Sequence, residues 1–316
     1  MPADQFIIFF MLLLTGYFCK KYKVFTDLAI NGINKFIIYI AYPSLILTKT
    51  AALEMESRIF VNFLMVIIIS IGFFLLIGAY ARLYCHGKRF EGEDRPALEL
   101  AVLYPNNGFM GFPVAITFFG NFGLLYMVAN NVAMNISMFT YGVTVLKRGR
   151  GSPGELFLKK TLKFLKMIAN PNISAAIAGI IFCYNHVELP GIAGGFLDLV
   201  SAAATPLAMI SIGTMLAGSM GLSTFKKRAV IEPIVNRLFV IPLIAAAIVW
   251  FLPLDSLVKT ILVVANVLPT AAYVPILCEQ YGRDKSLASE IVVVSTLFSM
   301  ATIPFAIWLL GRAVLM

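Results

Sequence analysis

Residues 59–81 read IFVNFLMVIIISIGFFLLIGAYA, a run without one charged side chain. About 17 to 25 largely uncharged residues is the length a helix needs to cross the hydrocarbon core of a bilayer. Nine further stretches of this kind lie at roughly 3–19, 28–49, 96–119, 122–146, 172–187, 194–219, 229–252, 257–281 and 286–311. Ten expected spans make this a multi-pass membrane protein of the all-α class. Composition agrees: 60% of residues are hydrophobic, 13% are charged, and the mean hydropathy is +0.88, too apolar for a soluble domain of this size.

The net charge of +9 would suit a nucleic-acid binder if the basic residues clustered on a polar domain, but they do not. Nineteen of the 25 Lys and Arg residues fall at 20–23, 82–95, 147–166, 226–228 and 283–285, which are the first, third, fifth, seventh and ninth loops between the spans. Cytoplasmic loops carry the excess of Lys and Arg. The expected location is therefore the cytoplasmic membrane, with both termini extracellular or periplasmic and no nucleic-acid partner. The first span follows MPADQ, which lacks Lys and Arg, and precedes KKYK; a cleaved signal peptide has its positive charges first, so this span is expected to be retained. Cys19, Cys85, Cys183 and Cys278 are scattered without metal spacing, and His86 and His186 are the only histidines. No metal, cofactor or enzymatic centre is expected from them.

Proline removes a backbone donor and clashes with the preceding turn of a helix, so its positions mark where spans break. Pro43 and Pro206 are 163 residues apart, and Pro105 and Pro269 are 164 apart. One offset serves both pairs and lays spans one to five on spans six to ten. Because five is odd, the second copy enters the membrane inverted, as in many secondary transporters. The expected organisation is a first five-helix repeat at 1–150, a linker at 151–170 and an inverted repeat at 171–316. In the linker, Ser152, Pro153 and Glu155 form a capping box ahead of Lys159, Lys160, Lys163 and Lys166 on one face, the pattern of a basic amphipathic helix lying on the cytoplasmic membrane surface.

The stretch LYPNNGFMGFPVA, 103–115, puts Pro105, Gly108, Gly111 and Pro113 into the fourth span, and NVLPTAAYVPILCEQYG puts Pro269 and Pro275 into the ninth. Unpaired backbone at membrane depth survives only where protein or a water-filled cavity satisfies it. Paired breaks crossing at the midplane would offer amide groups and the positive ends of half-helices to a carboxylate. The expected substrate contacts are Asn106, Asn107, Gly108, Thr270, Ala271 and Tyr273, with Pro105, Gly111, Pro113, Pro269 and Pro275 shaping the crossing. Asn131 and Asn135, one helical turn apart in the fifth span, are candidates to support the site from behind, with bonding between helices the favoured role. Glu99 and Asp198 are the ionisable residues available for proton coupling, whereas Lys35 and Arg237 are expected to snorkel to the cytoplasmic surface.

PNNGFMGFPVAITFFG, NVAMNISMFTYG, NPNISAAIAGI, AAATPLAMISIGTMLAG, LPTAAYVPILCEQYG and STLFSMATIPF, in this order across the chain, resemble the auxin efflux carrier family, in its shorter prokaryotic form. That resemblance implies an architecture like the bile-acid sodium symporters, with a scaffold of spans one, two, six and seven, a transport domain of the other six, and spans four and nine crossing at prolines. It also implies that Asn106, directly after Pro105, helps bind the substrate carboxylate. In the second half Pro269 matches the crossing proline, and Thr270 and Tyr273 are the polar groups beside it. Prokaryotic relatives of the family are associated with malate and malonate.

The function expected from these readings is a secondary transporter that moves a small organic anion by alternating access. A sodium- or proton-coupled carrier of bile-acid-like amphipathic molecules is one alternative, and an anion sensor that binds without transport is another. The partners expected are the anion and the lipid bilayer, with a homodimer as an open alternative to a monomer.

Overall fold

The computed structural model describes residues 2–54, 57–86, 90, 92–148, 170–187, 189, 191–217 and 222–314. The linker at 151–169, with its capping box and lysine face, lies outside the described residues. Among the described residues, and apart from a short 3-10 turn at Leu222–Lys226, eleven helices follow one another: α1 (Pro2–Lys21), α2 (Asp27–Ala51), α3 (Ser57–Cys85), α4 (Arg95–Leu103), α5 (Asn107–Lys147), α6 (Pro171–Tyr184), α7 (Gly191–Leu216), α8 (Arg228–Trp250), α9 (Ser256–Val267), α10 (Val274–Gln280) and α11 (Lys285–Val314). Six of them, α2, α3, α5, α7, α8 and α11, are long and apolar enough to cross a membrane. The chain is an all-helical, multi-pass membrane protein.

The departures from ten simple spans have local causes. The fourth expected span is divided into α4 and the start of α5, and the ninth into α9 and the seven-residue α10. α5 is itself two helices joined at Gly120, whose φ of 64° and ψ of −160° suit glycine and few other residues.

Proline also explains three widened turns. The π turns Ile37–Ala41, Asn107–Gly111 and Asn236–Val240 each end two residues before a proline, at Pro43, Pro113 and Pro242. Just ahead of proline the backbone reaches one residue further back than in an α-helix, with Tyr42 N–H bonded to Ile37 O and Ile241 N–H to Asn236 O. A widened turn makes room for the ring while keeping the neighbouring groups bonded. The turn Met138–Gly142 has another cause: Gly142 leaves space for the Tyr104 ring, whose hydroxyl a Cβ there would approach to 2.9 Å.

The chain folds into two compact units. The first comprises 1–65, 108–129 and 168–218 and holds α1, α2, α6 and α7. α1 and the second half of α7 meet through reciprocal glycines: a Cβ on Gly16 would lie 2.0 Å from Ile210 O, and one on Gly213 would lie 2.1 Å from Leu13 O. Small residues let helix backbones approach this closely in lipid, where packing replaces the hydrophobic drive between helices. Gly179 of α6 sits against Thr50 of α2 in the same manner, and Cys183 Sγ donates to Leu53 O at 2.6 Å. Tyr42 packs edge-on against Phe112 with ring centroids 5.2 Å apart.

The second unit comprises 66–107, 130–167 and 219–316. α3, α4, α8 and α11 close over a core of Cys85, Leu98, Ala101, Val230, Ile234, Leu238, Leu287, Ile291 and Val294. Outward-facing Leu75, Leu243, Trp250, Phe305 and Trp308 are exposed, which in a membrane protein is the expected lipid-facing surface.

Candidate functional site

Within the second unit the two broken stretches satisfy each other. α4 ends at Leu103, Tyr104 is extended with φ −97° and ψ 117°, and Leu268 after α9 is extended with φ −63° and ψ 147°. The stretches run antiparallel: Asn106 N–H donates to Pro269 O at 2.8 Å, and Ala271 N–H donates to Tyr104 O at 2.9 Å, with Pro105 opposite Thr270. Thr270 is fixed twice more, its N–H bonding to Ser295 Oγ at 3.2 Å and its hydroxyl donating to Ala101 O at 2.8 Å. Two prolines that each remove a donor thus create two lengths of extended backbone, and each supplies part of what the other lacks.

This pairing changes part of the expected substrate site. The amide hydrogens of Thr270 and Ala271, expected to be available to a carboxylate, are both already bonded. Asn106 is different. Its backbone is held by Pro269, while its side-chain amide has no hydrogen-bond partner among the described residues. Asn107 is buried and donates through Nδ2 to Asn130 Oδ1 at 2.6 Å, and Asn130 donates in turn to Ser70 Oγ at 2.8 Å. The Asn107 side-chain oxygen is buried without a partner among the described residues. Ala272 N–H likewise has no acceptor there.

The other residues singled out in the sequence occupy distinct places. Tyr273 is the residue just before α10 and is 39% exposed, and Pro275 follows in the first turn, where a missing N–H costs nothing. Gly108, Gly111 and Pro113 belong to the first unit, in the opening turns of α5. A methyl group added at Gly108 would meet no atom within 4 Å. Asn131 and Asn135 bond to each other along α5, Asn135 Nδ2 lying 3.0 Å from Asn131 Oδ1, rather than between helices as expected.

Glu99 is completely buried and doubly held. Arg148 Nη1 lies 2.6 Å from its Oε2, and the Tyr141 hydroxyl donates to its Oε1 while lying 2.9 Å from Gly78 O. Asp198 is in the first unit, 62% exposed and 3.7 Å from Lys49. Both residues line cavities of about 620 and 520 Å³ there.

Arg237 is the residue the sequence reading misplaced. It is wholly buried rather than drawn to the surface. The π turn in α8 aims it at the ends of α4 and α9, where Nε donates to Leu268 O at 3.0 Å. Nη1 donates to Val102 O and Leu103 O at 3.2 and 3.3 Å, and Nη2 to Ala265 O and Asn266 O at 3.4 and 2.9 Å. Helix C-termini carry partial negative charge and unpaired carbonyls, and one guanidinium meets both ends. The clue in the sequence is a charge near the middle of the apolar helix Arg228–Trp250, between Pro233 and Pro242.

The sequence model of the family described as "Membrane transport protein" matches residues 3–307, nearly the whole chain. The protein belongs to this family, that of the auxin efflux carriers. Similar members include an "Uncharacterized transporter" of Methanothermobacter thermautotrophicus, 28% identical over 93% of this chain and 93% of its own. Another "Uncharacterized transporter", from Methanocaldococcus jannaschii, is 27% identical over 98% of this chain and 99% of its own. A protein of Rhizobium meliloti named "Putative malonate transporter" is 24% identical over 97% of this chain and 95% of its own. A member of a membrane transport family is a transporter and not an enzyme.

Proposed function

We propose that this family member carries a small organic carboxylate, of the malonate or malate kind, across the cytoplasmic membrane by alternating access. The observation that carries the reading is Asn106: its backbone is fixed to the opposite break and its amide side chain has no hydrogen-bond partner among the described residues. A neutral amide can hold an anion and release it, as a carrier must. Asn107 and the Ala272 N–H, in the same unit, complete the polar set. Thr270 acts from behind, holding the break in shape. The name of the Rhizobium relative supports the choice of malonate as the first ligand to try.

On this reading the paired breaks are the crossing of spans four and nine in a five-plus-five inverted repeat, at 1–150 and 171–316. The hydrogen bonds between Tyr104 and Ala271 and between Asn106 and Pro269 support the crossing. The grouping of α1, α2, α6 and α7 in one compact unit supports a scaffold of spans one, two, six and seven. The excess of Lys and Arg in the odd-numbered loops supports an orientation with both termini outside. Glu99, with Asp198 as a second candidate, would serve any proton coupling.

A thermal-shift screen of the purified protein against mono- and dicarboxylates tests the reading, since a ligand of the folded state raises apparent stability by mass action. Malonate or a close dicarboxylate should raise the melting temperature. A panel of carboxylates without effect on a protein stabilised by uncharged amphiphiles would contradict it.

A further inference from the structure

We infer that Arg237 is a built-in cation standing where a carrier of this design would bind a coupling sodium ion, and that the protein therefore binds its substrate without sodium. This inference rests on the paired breaks being the substrate site.

Interrupted helices in transporters coordinate sodium with unwound carbonyls and the C-terminal ends of half-helices. That set of groups is present here: Val102 O and Leu103 O end α4, Ala265 O and Asn266 O lie in the last turn of α9, and Leu268 O is in the break itself. All five accept from Arg237. A guanidinium has five N–H donors, so every donor is used and a fixed positive charge fills the place of a mobile one. Arg237 is fully buried and has no carboxylate partner among the described residues. Only carbonyl dipoles meet its charge.

The charge also sits one peptide from the substrate contact. Arg237 binds Leu268 O, and the next carbonyl, Pro269 O, holds Asn106 N–H. Arg237 therefore acts as a positioning residue: it holds both helix ends, and through them Asn106, and biases the site towards anions. An ammonium has three donors, so lysine keeps the charge but leaves carbonyls unmet.

The experiment compares melting temperatures of wild type, Arg237→Lys and Arg237→Ala in sodium, potassium, choline and low-concentration guanidinium chlorides at equal ionic strength. Wild type should be indifferent to the cation, Arg237→Lys should melt lower and stay indifferent, and Arg237→Ala should melt lowest and recover in guanidinium. Malonate should shift wild type equally in sodium and choline salts. A sodium-specific rise for wild type overturns the inference, as does an Arg237→Ala protein that melts like wild type or ignores every cation. Should Arg237→Ala fail to fold, the wild-type and lysine arms decide. The cation arms need no substrate, so an absent malonate effect beside the expected cation responses counts against the carboxylate reading alone.

Discussion

Asn106 and Pro269, 163 positions apart in the chain, are joined by a hydrogen bond of 2.8 Å from the amide of one to the carbonyl of the other. The bond uses only backbone atoms, so it fixes where Asn106 stands without using the side chain. A position whose backbone is structural and whose side chain has no partner among the described residues can be changed without unfolding the protein.

Asn106→Ala should accordingly leave the melting temperature of the ligand-free protein nearly unchanged. It should weaken carboxylate binding by roughly tenfold to a hundredfold, the scale of one hydrogen bond to a charged group, about 1.5–3 kcal/mol. Titration of malonate against the thermal shift measures both quantities on one sample.

Thr270→Val keeps the volume and removes the hydroxyl that donates to Ala101 O. With that buried carbonyl left unmet, stability should fall by about 1–3 kcal/mol, and Thr270→Ser should recover most of it. Denaturation in mild detergent checks the pair.

Gly213→Ala would place a methyl group 2.1 Å from Leu13 O, so α1 and α7 must separate. Overpacking of this kind costs about 1–3 kcal/mol. Gly108→Ala meets nothing within 4 Å and should fold normally. A loss of substrate binding in that variant alone would place Gly108 against the ligand.

Arg148→Ala removes the cation from the buried Glu99 carboxylate and leaves only Tyr141 to satisfy it. The variant should lose about 1–3 kcal/mol, and adding Glu99→Gln should restore part of the loss, because a neutral amide is cheaper to bury than an unpaired charge. A double-mutant cycle reads the coupling directly.

The outline of the fold was legible in residues 59–81 and their counterparts, because hydrocarbon forces every spanning segment to satisfy its own backbone. The breaks were legible too, because Pro105 and Pro269 remove donors wherever they stand. What the sequence could not show is how the freed groups pair. The amides of Thr270 and Ala271 are spent on Ser295 and Tyr104, residues 25 and 167 positions away, and no local pattern encodes such partners. Arg237 was misread for a related reason. A lone arginine in an apolar span can extend to the surface or turn inward, and the choice depends on five carbonyls from two other helices. The asparagine chain through Asn130 to Ser70 joins three separate segments and has no signature in any one of them.

The central claim is that Asn106 at the paired breaks holds a carboxylate during transport, and the most direct measurement is uptake of radiolabelled malonate into proteoliposomes by wild type and Asn106→Ala. The account predicts saturable, competable uptake by wild type and loss of about tenfold or more at low malonate in the variant, by the same hydrogen-bond scale, with equal amounts of folded protein. Equal uptake by the two proteins, or binding of malonate by wild type with no flux, would contradict it.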